Sequence, residues 1–167
     1  EDLIDVERAA KVSGSRFSYL KNEAVLLEFA LIRYALDVLS AEGFIPIIPP
    51  VIVNQNVIEG LGYPEYLSGE GYKLDDQYLV GTAEHSIVAM HMDETFKDSD
   101  LPRRYIGFST SFRREAGSYG KDTRGIFRVH QFDKLEMVSF VKEQDDDKEN
   151  EFLLSLQEKL FQSLEIP

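Results

Sequence analysis

The sequence predicts an α+β fold: an antiparallel β-sheet flanked by helices. Three observations predict it. Residues 105–115 and 125–140 both alternate at period two, as strands do, and a link with Gly117, Gly120 and Gly125 joins them as a hairpin would be joined. Residues 19–42 and 149–164 repeat apolar side chains at helical spacing. The expected hairpin sets small and charged residues on one face and apolar residues on the other.

The 167 residues suffice for one domain with a core. The absence of cysteine excludes a disulfide framework, a thiolate metal site and a Cys nucleophile. His85, His91 and His130 lack a zinc spacing, and no metal ligand is assigned. No apolar run is long enough to cross a membrane, so no membrane partner is expected. A net charge of −12 argues against nucleic-acid binding by the whole surface. Yet residues 103–134 hold eight basic and three acidic side chains, a local +5 that leaves −17 for the remainder. Such a patch is either a focused anion site or a solvated charge cluster, and the strand alternation favours the site.

Taken in order, residues 1–18 combine a short helical pattern with a Ser-Gly-Ser turn. With neither an initiator Met nor a signal-peptide pattern, a piece of a longer chain is expected. Tyr19 to Glu42 reads as one helix stopped by Gly43. Leu27, Leu31, Ala35 and Val38 form one stripe. Val25, Phe29, Ile32 and Leu36 form a second, so the helix is either a core helix or one shared with a subunit interface. Phe44 to Val53 is β-branched but holds three prolines, and is expected as an edge or interrupted strand. Asn54 to Asp76 reads as a loop-rich excursion with Tyr63, Tyr66 and Tyr72, either ordinary surface or a lid. Residues 77–81 form a short strand. Thr82 then caps a helix from Ala83 to about Thr95, with Glu84 in its first turn; capping alone suffices to explain both residues. The acidic run Glu143 to Asp147 reads as a solvated turn, and Glu149 to Leu164 as an amphipathic helix.

On the hairpin, Gly107, Ser109, Ser111, Arg113 and Glu115 share a face with Arg128, His130, Phe132, Lys134 and Glu136. Ile106, Phe108, Thr110 and Phe112, with Phe127, Val129, Leu135 and Met137, are expected on the core side. Guanidinium, carboxylate and one ring on a floor of small residues suit an anionic ligand with a flat ring.

Phe112-Arg113-Arg114-Glu115, the glycine-rich link and Gly125-Ile-Phe-Arg-Val-His-Gln-Phe-Asp-Lys-Leu-Glu136 resemble the second signature of class II aminoacyl-tRNA synthetases, in the wording of the seryl branch. The helix from Tyr19 with Gly43 to Pro50 resembles the first signature. Thr82-Ala83-Glu84 resembles that branch's Thr-x-Glu element, although His85 and Gly81 depart from its usual apolar residue and proline. The resemblance implies a catalytic domain of class II type over residues 1–167. The third signature and the N-terminal tRNA-gripping coiled coil are not in the sequence, so a fragment inactive alone is expected.

The resemblance implies that the full-length protein activates serine with ATP and Mg2+ and transfers it to tRNA(Ser) in the cytoplasm. It implies a homodimer through Tyr19–Pro50. Arg113 would be the catalytic α-phosphate clamp. Arg114, Glu115, Val129 and Phe132 would join it in binding ATP, with Glu115 meeting the adenine amine and Phe132 stacking on the ring. Thr82, Ala83, Glu84 and Glu136 would bind serine. The link from Ala116 to Gly125 would close over ATP and touch the tRNA acceptor end. Two other readings stay open: a paralogue loading a carrier protein, and a non-catalytic synthetase-like domain.

Overall fold

A computed structural model describes residues 2–115 and 125–166. β1 (Ile4–Asp5) and β2 (Tyr19–Leu20) pair antiparallel and enclose α1 (Val6–Ser13). Asp5 caps α1, its carboxylate accepting from the Arg8 amide at 2.8 Å. α2 (Glu23–Ala41) follows, starting four residues later than the pattern predicts, because Tyr19 and Leu20 are taken by the ribbon. Its end is as predicted. Gly43 adopts φ +89, its amide reaches Ser40 O, and the Phe44 amide reaches Leu39 O. This is the paired C-terminal closure that only glycine enters without strain.

β3 (Ile45–Ile47) and β4 (Ile52–Asn54) divide the proline-rich run between two sheets, with Ile48 exposed at the break. Next come α3 (Gln55–Gly60), a π-helical turn at Tyr66–Glu70, β5 (Lys73–Leu74) and β6 (Gln77–Leu79). The predicted excursion is thus substantially ordered, because Tyr66 and Val57 bury themselves against Tyr78 and Val80. α4 (Glu84–Ala89) is shorter than predicted, and the chain soon turns through Asp93 at φ +61. The long hairpin follows as β7 (Arg103–Phe112) and β8 (Gln131–Phe140), and α5 (Asp146–Ser163) closes the chain.

The central sheet runs β3-β7-β8, and a smaller antiparallel sheet runs β4-β6-β5. β7 and β8 are antiparallel from Arg103↔Phe140 to Phe112↔Gln131, whereas β3 joins β7 in parallel at Ile45↔Tyr105. The sheet is therefore mixed rather than wholly antiparallel. Pro46 sits on its edge strand, where a missing donor is tolerated. On one face α2 and α5 bury Leu39, Phe44, Ile106 and Leu156; on the other α4 buries Ala83 and Ile87 against Tyr105. Glu149 anchors α5 to the sheet: both its oxygens accept from Arg104, each at 2.6 Å, and Ser139 adds a third bond. Arg104 chiefly holds that carboxyl below the usual range.

The hairpin differs from expectation in two respects. Its strands stop at Phe112 and start at Gln131, so residues 125–130 are bends and Phe127, expected in the core, is 92% exposed. Beyond Phe112 the ladder gives way to contacts with the N-terminal segment, and Glu115 turns the chain at φ +54. In addition, Gly107, Ser109 and Ser111 are not an open floor but buried, and Gly107 lies directly under α4. A Cβ at Gly107 would overlap Ile87 Cδ1 and stand 3.1 Å from Ala83 Cβ. Phe108, expected in the core, is only half-buried, beside an apolar groove shared with Leu27, Leu31 and Leu160.

Candidate active site

A polar cavity of about 450 Å3 opens where α4, the π-helical turn and the open end of the hairpin meet. Arg113, Glu115, Arg128 and Lys134 line it from the hairpin, Gly81, Thr82, Glu84 and His85 from the α4 segment, and Tyr63, Glu65, Tyr66 and Glu70 from the ordered excursion.

Arg113 lies just past the end of β7. Its amide bonds the His130 carbonyl, its Nε donates to Gly81 O at 3.1 Å, and its guanidinium stands 5.4 Å from the Phe132 ring centroid. Tying Nε to a carbonyl points a guanidinium while leaving its terminal nitrogens for an oxyanion. Glu115 pairs with Arg128 Nε, and its backbone carbonyl accepts from Arg16 Nη1 at 3.4 Å.

At the other end, Thr82 joins two segments distant in sequence. Its hydroxyl donates to Glu136 Oε2 at 2.5 Å and accepts from Lys134 Nζ at 3.1 Å, while Lys134 also pairs with Glu136. The Glu84 amide donates to Thr82 Oγ1 at 3.3 Å, but α4 starts at Glu84 and its N-cap is Ala83, so Thr82 stands one residue before the capping position expected for it. Glu84 Oε1 accepts from the Tyr63 hydroxyl at 3.0 Å, and burial followed by this bond pushes that phenol above its usual range.

The fold therefore brings Arg113, Glu115, Thr82 and Glu84 to one cavity, with Phe132 beneath Arg113 and Glu136 behind Thr82. Three expected site residues are placed differently. Arg114 turns aside, its guanidinium 5.0 Å from the Tyr72 ring centroid and its amide on Glu70 O. Ala83 is fully buried among Ile87 and Tyr105. Val129 is half-buried and does not line the cavity. The expected closing loop lies outside the described residues from Ala116 to Arg124.

Sequence reasoning missed Tyr63, Glu65, Tyr66, Glu70 and His85 as lining groups. The tyrosines among glycines in 60–72 were the available signal. His85 is 2% exposed, and burial, reinforced by Arg113 and Lys134, pushes its imidazole down to about 4. Its Nδ1, with Ser109 Oγ and Ser111 Oγ, is buried without a hydrogen-bond partner among the described residues. No group of three or more acidic or histidine side chains among those residues could hold a metal ion, so they do not by themselves fit magnesium. Nor is any described helix long and apolar enough to cross a membrane.

Comparison with known proteins gives this geometry a context. The chain is 54% identical to the serine–tRNA ligase of Acidothermus cellulolyticus over 98% of its own length and 40% of that protein's. It is 52% identical to serine–tRNA ligase 1 of Streptomyces avermitilis, over 98% and 39%. The crystal structure of seryl-tRNA synthetase from Pyrococcus horikoshii complexed with ATP superposes with a TM-score of 0.93 at 49% identity, covering 97% of this chain and 37% of that one. The cytoplasmic serine–tRNA ligase of Naegleria fowleri in complex with AMP gives 0.91 at 34% identity, over 96% and 39%. The chain thus spans about 40% of the length of the curated relatives it matches. Residues 70–167 match the tRNA synthetase class II core domain (G, H, P, S and T), and with the fold and the cavity in agreement, the chain belongs to that family.

Proposed function

We propose that this chain is part of the catalytic domain of a serine–tRNA ligase. Its full-length protein would join serine to ATP as seryl-adenylate and pass the seryl group to tRNA(Ser). One observation supports the reading: a single cavity is lined by Arg113, Thr82, Glu84 and Lys134, with the Phe132 ring under the Arg113 guanidinium and Glu136 bonded to Thr82 behind the wall. Its separation into a phosphate-and-ring end and a small polar end suits a reaction that brings two anions together.

In that reaction the serine carboxylate attacks the α-phosphorus of ATP in line, the bond to the β-phosphate oxygen breaks, and pyrophosphate leaves. Arg113 is the group to stabilise the negative charge that gathers on the α-phosphate oxygens, since a guanidinium forks onto such oxygens. Phe132 offers adenine its ring, and Glu115 and the Val129 backbone flank the nucleotide. Arg114 belongs to the outer part of the nucleotide end, through its contact with Tyr72. Glu84 and Glu136 attract the serine ammonium, Thr82 meets the hydroxymethyl group, and Ala83 keeps its neighbours seated. Magnesium would ride on the nucleotide phosphates, because no described cluster can hold it alone.

The reading includes a homodimer through Tyr19–Pro50, supported by the exposure of Leu26, Phe29 and Ile48, and work in the cytoplasm. The test is serine-dependent exchange of pyrophosphate into ATP by the full-length protein. Arg113→Ala is expected to lower kcat/KM by roughly a hundredfold to a thousandfold, as loss of one transition-state donor does. Near-normal exchange would remove Arg113 from this role.

A further inference from the structure

We infer that His130 is a positioning residue: its imidazole sets the backbone from which Arg113 projects, and the N-terminal segment Arg16–Phe17 holds that imidazole in place. The inference rests on the reading of Arg113 given above. His130 does not line the cavity, so it can reach a bound nucleotide only through its neighbours.

The contacts are reciprocal. The Arg113 amide donates to the His130 carbonyl at 3.0 Å. His130 Nδ1 lies 2.9 Å from the Arg113 carbonyl, which can only accept, so the imidazole carries its proton on Nδ1. The ladder's last regular pair is Phe112↔Gln131; one step beyond it a single backbone bond remains, and the imidazole takes the Arg113 carbonyl because the His130 amide is given to Arg16. A backbone bond on one side and a side-chain bond on the other fix Arg113 just where strand pairing stops restraining it.

His130 is itself restrained from elsewhere in the chain. Its amide donates to the Arg16 carbonyl at 3.0 Å, Phe17 lies 5.3 Å from its ring centroid and Tyr72 stands edge-on at 6.3 Å. Arg16 adopts φ +63 and donates from Nη1 to the carbonyl of Glu115, which adopts φ +54. Two residues in sparsely populated backbone conformations are thus joined across the same junction, as happens where surrounding contacts over-determine the chain. The Ser-Gly-Ser-Arg-Phe stretch, which the sequence presents as a turn, becomes the brace of the arginine at the nucleotide end.

The test uses the full-length protein with His130→Leu, which deletes the donor, and His130→Asn, whose side-chain amide places an N–H near the position of Nδ1. Serine-dependent ATP–pyrophosphate exchange is read as separate KM values for ATP and serine, with thermal unfolding alongside. Leucine should raise the ATP KM roughly tenfold and the serine KM less than about twofold, while asparagine stays within about threefold of wild type. Equal losses for leucine and asparagine, or an equal rise in both KM values, would overturn the inference. Should the leucine variant fail to fold, the ring 15N shifts of His130 in the wild-type protein decide: an Nδ1–H tautomer supports the proposal and an Nε2–H tautomer sinks it. That measurement does not depend on catalysis. A wild-type protein inactive with serine would therefore defeat the functional reading without deciding the fate of His130.

Discussion

At the scale of single residues, His85 shows what the cavity does to charge. Two tyrosine rings flank it, Tyr63 at 4.9 Å and Tyr66 at 5.1 Å between centroids, and its imidazole is pushed from 6.5 down to about 4. The unfolded chain therefore binds more protons between those two values. The stability tied to a neutral His85 is complete above about pH 6.5 and drains away as pH falls through about 4. His85→Phe should remove that part of the acid sensitivity, worth roughly 2 kcal/mol after allowance for solvent on the cavity side. Urea unfolding of both proteins at pH 7.5 and pH 4.5 checks it; an unchanged difference between the two pH values would show that His85 is not the group. Arg113 and Thr82 were legible as neighbours in one polar site because their motifs resemble signatures of a known family, and the fold brings both to one cavity. His85 was seen only as a departure from a pattern. Nothing in its neighbourhood of sequence reveals that Tyr63 and Tyr66, some twenty residues upstream, enclose it.

Among the elements, α4 governs the geometry of the small polar end, since Thr82 and Glu84 ride at its start. It is seated on Gly107, where no Cβ fits. On the proposed function, Gly107→Ala in the full-length protein should push α4 outward, cost about 1–3 kcal/mol in stability, and raise the serine KM more than the ATP KM in pyrophosphate exchange. Ile87→Val removes the Cδ1 atom that the new methyl would meet, so the double variant should recover part of both losses. Additive losses would mean that Gly107 acts through something other than this contact. The helices α2 and α5 and the hairpin were legible from periodicity and from the Gly43 stop. The true start of β8 was not, because alternation continues in letters through 125–130. There the backbone has left the ladder for the Arg16 carbonyl, a partner more than a hundred residues away. Burial of the two hairpin faces was likewise illegible, since small residues mark a close approach without saying whether helix or ligand makes it.

For the molecule as a whole, the exposed apolar surface of α2 argues for a partner. Leu26 is 70% exposed and Phe29 62%. In a two-fold interface each buried side chain counts twice, at roughly 1.5–3 kcal/mol per burial. On the proposed homodimer reading, Leu26→Glu with Phe29→Glu should leave the full-length protein monomeric at micromolar concentration in sedimentation equilibrium, where the unaltered protein sediments as a dimer. A dimer that persists would place the interface elsewhere. The mixed sheet has a further consequence, in the time domain of synthesis. Ile45 on β3 pairs with Tyr105, sixty positions later, so at translation rates of about 5–20 residues per second the edge strand exists for roughly 3–12 s before its partner has been made. During that interval Phe44 to Val53 is an apolar, β-branched stretch of the kind that pairs with strangers. Pro46, Pro49 and Pro50 deprive it of three amide donors. The prolines that mark this segment as a poor strand also make it a poor template for aggregation on the ribosome, and β3 still finds its place once β7 arrives.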